Sequence, residues 1–430
     1  MQEHPQEFGF GQELRRRRLE AQFSLERLGK RVHYSKAQLS KVERGLKRPS
    51  PELARLCDAE LNAGGALARL LPPPVSRKPL PAPEGDDEVW LMYLDKDGTS
   101  SFQPIKRRSV MTAGAASIFS LHIGDELLAV ETGAATLVEA SRVLFDQFRR
   151  IGQAAGPGSV LPALIAQAHS LERLAGRVGT RTRRELLVLA SRYAEYTGWM
   201  AQEAGDDSAA LWWTDRAVHL AQGGDDTTLA SYALVRRSLI CLYGGDTAQA
   251  VELSGAALRS GAPPRVRGLA AQHLAQCRAV EGDYDATLRS LDRARELLAL
   301  AARHSEAPVL GASHVPDVVE MFTGWCLHDL GRPQRAAELL DRETARIPAH
   351  ALRTRSRYGV RRALAHAAAG EIDHACAITT EVLATVGAVG SATIVADLRR
   401  LAKVLGRHPG NAQVRATMPR LSTALTQSMP

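Results

Sequence analysis

Cysteine, aromatic and asparagine residues are scarce in this sequence, and each shortage excludes something. The 430 residues include five cysteines, and aromatic side chains make up 5%. Cys57, Cys241, Cys277, Cys326 and Cys376 are odd in number and widely spaced, which excludes a disulfide framework and fits a reducing cytoplasm. Few aromatics beside abundant Ala, Leu and Arg disfavour sheets, so the expected fold class is all-α. No run of about 18 apolar residues occurs, and Met1 to Gly11 is polar, so neither a membrane span nor a secretory signal is expected. There is no H-E-x-x-H or paired-cysteine pattern, and Gly156-Pro157-Gly158 is not followed by Lys-Ser. No local motif assembles Ser, His and Asp. The expectation is therefore a protein without catalytic residues, metal or cofactor.

What is present is charge in one place. The net charge is +8, but between Arg15 and Arg48 twelve Lys or Arg stand against three acids, and the rest of the chain is close to neutral. Clustered positive charge attracts phosphate, whereas dispersed charge is only a solvated surface. Length implies more than one domain. Six prolines between 72 and 83 exclude a helix and mark a boundary. The expected divisions are a head at 8–71, a linker at 72–88, a connecting hairpin and helix at 89–138, and a helical repeat domain at 139–428. Within the connection, Val89 to Leu94 and Thr99 to Ile105 flank Asp95-Lys96-Asp97-Gly98, a hairpin turn signal. The Arg107-Arg108-Ser109-Val110-Met111 stretch has the look of a twin-arginine export signal, but its internal position favours a buried connecting helix.

In the head, Ser24 is an N-cap for a helix to about Val32, and Ser35 an N-cap for a second helix to Arg44. Leu28, Val32, Leu39 and Val42 supply apolar contacts between them, and Gly29 permits close crossing. Two capped helices so near in sequence form a helix-turn-helix. Gly45 ends the second helix where a positive φ is useful, and Pro49 and Pro51 introduce the next.

The phrase S-x-x-x-L-S-x-V-E-R-G-x-x-R-P at 35–49 resembles the XRE group, which includes phage Cro and repressor proteins. The resemblance covers residues 8 to about 71 and implies a Cro-like five-helix domain on double-stranded DNA. It departs at Gly29, where the family usually has Ala, and at His33, where a turn Gly is common; histidine tolerates the left-handed conformation better than most residues. By this resemblance the helix from Ser35 to Arg44 enters the major groove. Lys36, Gln38 and Lys41 become candidates for base edges, and Ala37 for a thymine methyl. Ser24, Ser35, Arg44, Lys47 and Arg48 become phosphate contacts, and Arg18 pairs with Glu43. A twofold operator then implies a homodimer.

Beyond residue 139 a phrase recurs in which an apolar helix meets Gly plus a polar residue, followed by a second helix. Its marker glycines are Gly205, Gly245, Gly282, Gly331 and Gly370. Five residues on stands Ala210, Ala250, Thr287, Ala336 or Ala375, and Ala217, Ala257 and Ala294 follow in the first three units. The pattern resembles tetratricopeptide repeats over about 180–390 and implies an α-solenoid, which Val395 to Leu405 and Ala412 to Thr426 cap. Projecting that repeat places Arg192, Glu195, Trp199, Gln202, Gln272, Gln276, Trp325, His328 and Arg357 toward a ligand groove, with Leu239, Tyr243, Met321 and Leu364. Trp212 and Trp213, on a second helix, are expected to pack.

Head and repeats together are similar in architecture to the RRNPP peptide receptors and to actinobacterial regulators that join a Cro-like head to degenerate repeats. That similarity implies a signalling peptide, small molecule or partner protein on the repeats. Asn is absent from the body before 411, which removes the residue such receptors commonly use to hold a peptide backbone. An antitoxin or phage-type repressor, and a scaffold whose head contacts protein, are the alternatives.

Overall fold

The computed structural model describes residues 9–71, 88–94, 100–106, 131–303, 310–311 and 314–427. The proline-rich linker and the Arg107–Met111 stretch lie outside them. Five helices form the head: α1 (Phe10–Glu20), α2 (Leu25–Val32), α3 (Lys36–Glu43), α4 (Pro51–Glu60) and the single turn α5 (Ala66–Arg69). Their apolar faces meet in one core of Leu14, Leu28, Val32, Leu39, Leu53 and Leu67. Ser50 caps α4 with Pro51 in its first turn, because that position has no intrahelical use for an N–H. Next come β1 (Glu88–Leu94) and β2 (Ser100–Lys106), antiparallel with Leu94 opposite Ser100, a hairpin within a residue of the expected one.

Among the described residues the further elements are all helical: α6 (Glu131–Ala154), α7 (Leu161–Ala175), α8 (Thr180–Ala204), α9 (Asp207–Gly223), α10 (Thr228–Gly244), α11 (Thr247–Arg259), α12 (Pro264–Val280), α13 (Tyr284–Ala302), α14 (Val318–Asp329), α15 (Pro333–Thr344), α16 (Leu352–Ala368), α17 (Ile372–Val389), α18 (Ala392–Leu405) and α19 (Ala412–Gln427). The marker glycines fall between paired helices, with φ of 90°, 88°, 79°, 73° and 87° in chain order. Only glycine takes that left-handed geometry without steric cost, which is why the phrase repeats. In three units the next residue caps the second helix: Asp206, Asp246 and Asp283 accept from the backbone N–H of Ala209, Gln249 and Ala286 at 2.8, 3.0 and 2.9 Å. The small residues five positions after each glycine are fully buried between helices.

The contacts divide the chain into two compact units that do not follow chain order. One holds Pro79–Ala233 and Ala388–Ala392. There α6 lays Phe145 and Phe148 on Tyr193 of α8, ring centroids 4.9 and 6.2 Å apart, and Tyr193 Oη donates to the Ser141 carbonyl at 2.8 Å. Gly198 lets α9 approach α8, since a Cβ there would lie 3.1 Å from the Ala210 carbonyl; Trp213 is buried on that contact.

The other unit joins Met1–Lys78 to Leu234–Gly387 and Thr393–Pro430, so the head packs directly on the later repeats. It rests on their turns. Gly282 abuts Gly65, Gly331 abuts the Arg55 carbonyl, and Gly370 abuts the His33 ring. A Cβ at Gly331 would come within 2.3 Å of that carbonyl oxygen. The loop after α18 adds Arg407, which pairs with Glu52 and lies 4.8 Å over the Tyr34 ring. Among the described residues, α17 is the one helix long and apolar enough to cross a membrane, and Ile372, Ala375, Cys376, Ile378 and Val382 on it are buried in the array.

Candidate DNA interface and the helical array

The helix-turn-helix is held by local bonds. Ser24 Oγ accepts from Arg27 N–H at 3.0 Å, so α2 begins where its cap predicts. His33 ends α2 in the left-handed conformation, φ 55° and ψ 40°. Ser35 and Gln38 then form a reciprocal capping box, each side chain bonding the other's backbone N–H at 3.2 Å. Gly29 is required by the turn itself: a Cβ there would lie 2.5 Å from the Tyr34 carbonyl oxygen, closer than any approach by the crossing helix. Arg18 reaches from α1 to Glu43 through two bonds of 2.6 and 2.9 Å and donates a third to the Phe23 carbonyl at 2.8 Å. The pair is nearly buried, and hydrogen bonding to Glu43 raises the Arg18 pKa. This clamp fixes α3 on α1.

Outward, the same helix is open. Ser24, Ser35, Lys36, Ala37, Lys41, Arg44, Lys47 and Arg48 are exposed, and Gln38 is half-buried with its Oε1 engaged by the Ser35 N–H, leaving its amide group as a donor. Arg44 bonds back to the Ser40 carbonyl at 3.2 Å. Docking on the repeats uses the end of α2 together with α4 and α5; His408 of the array lines a pocket with Ser35 and Lys36 at the start of α3, whose side chains remain exposed, as do Lys41 and Arg44. No local pattern could have revealed the docking contacts, since Arg407 lies 355 residues from Glu52.

The residues assigned to the groove by repeat projection fall in both units. Arg192, Gln202, Gln272, Gln276 and Trp325 are buried, and Glu195, Trp199, His328 and Arg357 are half-buried. Arg192 pairs with Asp226 at 2.8 Å. In the unit that carries the head, Trp325 stacks on His328, centroids 5.0 Å apart, while the Arg361 guanidinium lies 4.3 Å over its ring. Arg361 also bonds Asp397 and Tyr243 Oη, and Arg357 reaches the same tyrosine oxygen. Burial, with Arg236, Arg357 and Arg361 nearby, holds His273 at about 3, so its ring is neutral. Gln272 Oε1, His273 Nδ1 and His328 Nδ1 are buried and have no hydrogen-bond partner among the described residues. Arg361 and His273 lie outside the projected groove positions, and neither stands at a repeat position that would have singled it out.

Residues 10–71 match the family model described as a helix-turn-helix domain. No curated protein matches the chain significantly. The head is thus a DNA-binding domain of helix-turn-helix class, followed by an array of helices, the arrangement of a DNA-binding regulator.

Proposed function

We propose that this protein is a cytoplasmic, non-enzymatic transcription regulator of the Cro-like XRE type, binding double-stranded DNA as a homodimer. In this reading the tetratricopeptide-like array binds a peptide, small ligand or partner protein that governs the heads. One observation carries it: a capped α3 with Lys36, Lys41 and Arg44 exposed on the basic pole of the chain, left open by a head already docked on its repeats. Lys36 and Lys41 donate to base edges, and Gln38 serves through its free amide; Ser24, Ser35, Arg44, Lys47 and Arg48 meet phosphates. The unpartnered Gln272, His273 and His328 atoms support a ligand on the array, because a buried polar atom without a partner costs stability unless something bonds it.

The twofold reading has its own support on α6. Leu137, Leu144 and Ile151 recur every seven residues and are 40%, 39% and 44% exposed, on the flank of α6 next to the one whose Phe145 packs on α8. Selection of duplexes from a random pool by the purified chain tests the whole reading. Enrichment of a palindromic sequence whose affinity changes on adding cell extract supports a ligand-responsive regulator. Enrichment without that change leaves a constitutive repressor, and no enrichment leaves a scaffold. Leu144→Glu should halve the mass measured by light scattering; an unchanged mass would remove α6 from the dimer.

A further inference from the structure

The turn between α16 and α17 gathers groups that the DNA reading does not use. Asp341 of α15, His366 of α16 and His374 of α17 each bring one ligand atom within 4.8 Å of the others. His366 is 4% exposed, while His374 is exposed and Asp341 half-buried. Glu371 Oε2 lies 2.6 Å from His366 Nδ1, and Asp341 Oδ1 lies 3.0 Å from His366 Nε2. The two imidazoles stand edge to face, centroids 4.4 Å apart.

A neutral imidazole has one N–H. With Nδ1–H donated to Glu371, the Nε2 lone pair points at a carboxylate oxygen, a repulsive contact unless a cation sits between them. A second proton on the ring is one such cation, and a metal ion is the other. The carboxylate behind Nδ1 is the arrangement that fixes the tautomer and raises the basicity of a metal-binding histidine.

We propose that Asp341, His366 and His374 form a site for a divalent transition metal of the zinc class, with Glu371 as the supporting carboxylate. Two imidazoles and one carboxylate are the ligand chemistry of open, four-coordinate Zn²⁺ sites, in which water takes the remaining position. The exchange balances: an imidazolium loses its Nε2 proton to solvent as the metal takes that lone pair. Arg362 now donates to Asp341 and stands 3.5 Å from His374 Nε2, so it competes with the metal for this place. Its side chain is 24% exposed and can turn to solvent, leaving Asp341 and Glu371 to balance the dication. Gly370, between the two histidines in sequence, touches His33 of the head, so the metal sits at a turn on which the head rests. The three ligands come from three helices, which is why no spacing motif announces them.

The full chain, freed of metal by chelator, is titrated with Zn²⁺ by calorimetry and with Co²⁺ by visible absorption, without DNA. Equimolar binding is expected, with the spectrum of four-coordinate Co²⁺ and no thiolate charge-transfer band. His374→Ala and Asp341→Asn, both at accessible side chains, should weaken binding more than tenfold with unchanged circular dichroism, and Glu371→Gln by roughly 10- to 100-fold. Arg362→Ala should leave binding intact or tighten it. Absence of equimolar binding, a thiolate spectrum, or equal affinity in His374→Ala would overturn the site. Because no nucleic acid is present, each of these outcomes is independent of whether the head binds DNA.

Discussion

The head and the helical array treat positive charge in opposite ways. In the head, Lys36, Lys41, Arg44, Lys47 and Arg48 stand in water, where their field extends about a Debye length and attracts any polyanion. In the array, Arg361 and Arg353 are each 2% exposed, and Arg361 is fixed by Asp397, Tyr243 and Trp325. The first arrangement serves a long-range, salt-sensitive partner. The second is held in one geometry by neighbours, and only something that enters the array can engage it. Yet the head also contains one buried pair, Arg18–Glu43, and the comparison can be tested through it.

The largest effect is expected where a buried charge loses its partner. Glu43→Gln in the head and Asp397→Asn in the array should each cost about 3–5 kcal/mol, because an arginine is left desolvated. Urea unfolding measures both. A cost below about 1 kcal/mol for either would mean that its arginine is solvated like Arg44, Lys47 and Arg48. Neutralising Lys36, Lys41 and Arg44 should instead spare stability and remove DNA affinity. On the proposed reading the loss is about 1–3 kcal/mol for each lysine assigned to a base edge, and the slope of log affinity against log salt falls by about 0.9 for every phosphate that the protein no longer neutralises. An unaltered slope would sever the exposed charge from its assigned role.

A smaller effect tests whether the head and the repeats beneath it are one body. Gly331→Val forces a left-handed φ and drives a Cβ into the Arg55 carbonyl, which should cost about 1–3 kcal/mol. Hydrogen exchange should then rise in α4 of the head as well as in α14; a rise confined to α14 would mean that the head does not rest there. The smallest effect concerns Glu13, held at about 2 chiefly by its hydrogen bond from Arg16, with Arg17 adding to it. Its pKa is lower in the folded state than the ordinary 4.5, so its contribution is complete above pH 4.5 and fades as pH falls toward 2. The melting-temperature difference between wild type and Glu13→Gln should shrink over that interval, and a constant difference would disprove the linkage.

The head is legible in the sequence because its determinants are local. Ser24, Ser35, Gly45 and Pro51 each act within a few residues, and the helices begin and end within a residue of where those signals place them. The turn glycines of the repeats are legible for the same reason. Gly29 has the expected property for a different neighbour, since the Tyr34 carbonyl rather than a crossing helix demands it. The interior of the array is less legible. Repeat projection directs Trp325 toward a groove, whereas it is buried, and gives no sign that Arg361 covers its indole, because register within a helix does not say how far a neighbouring helix leans in.

Composition and pattern alone determined the helical class, the basic pole, the capped helix-turn-helix and the glycine-closed helix pairs, since capping, φ preference and apolar periodicity act along a few turns of chain. Tertiary packing alone decided that the head rests on the turns at Gly282, Gly331 and Gly370, that Arg407 reaches Glu52, and that Asp341, His366 and His374 meet. Those contacts join residues far apart in sequence, and their formation depends on how helices stack, which no single segment encodes.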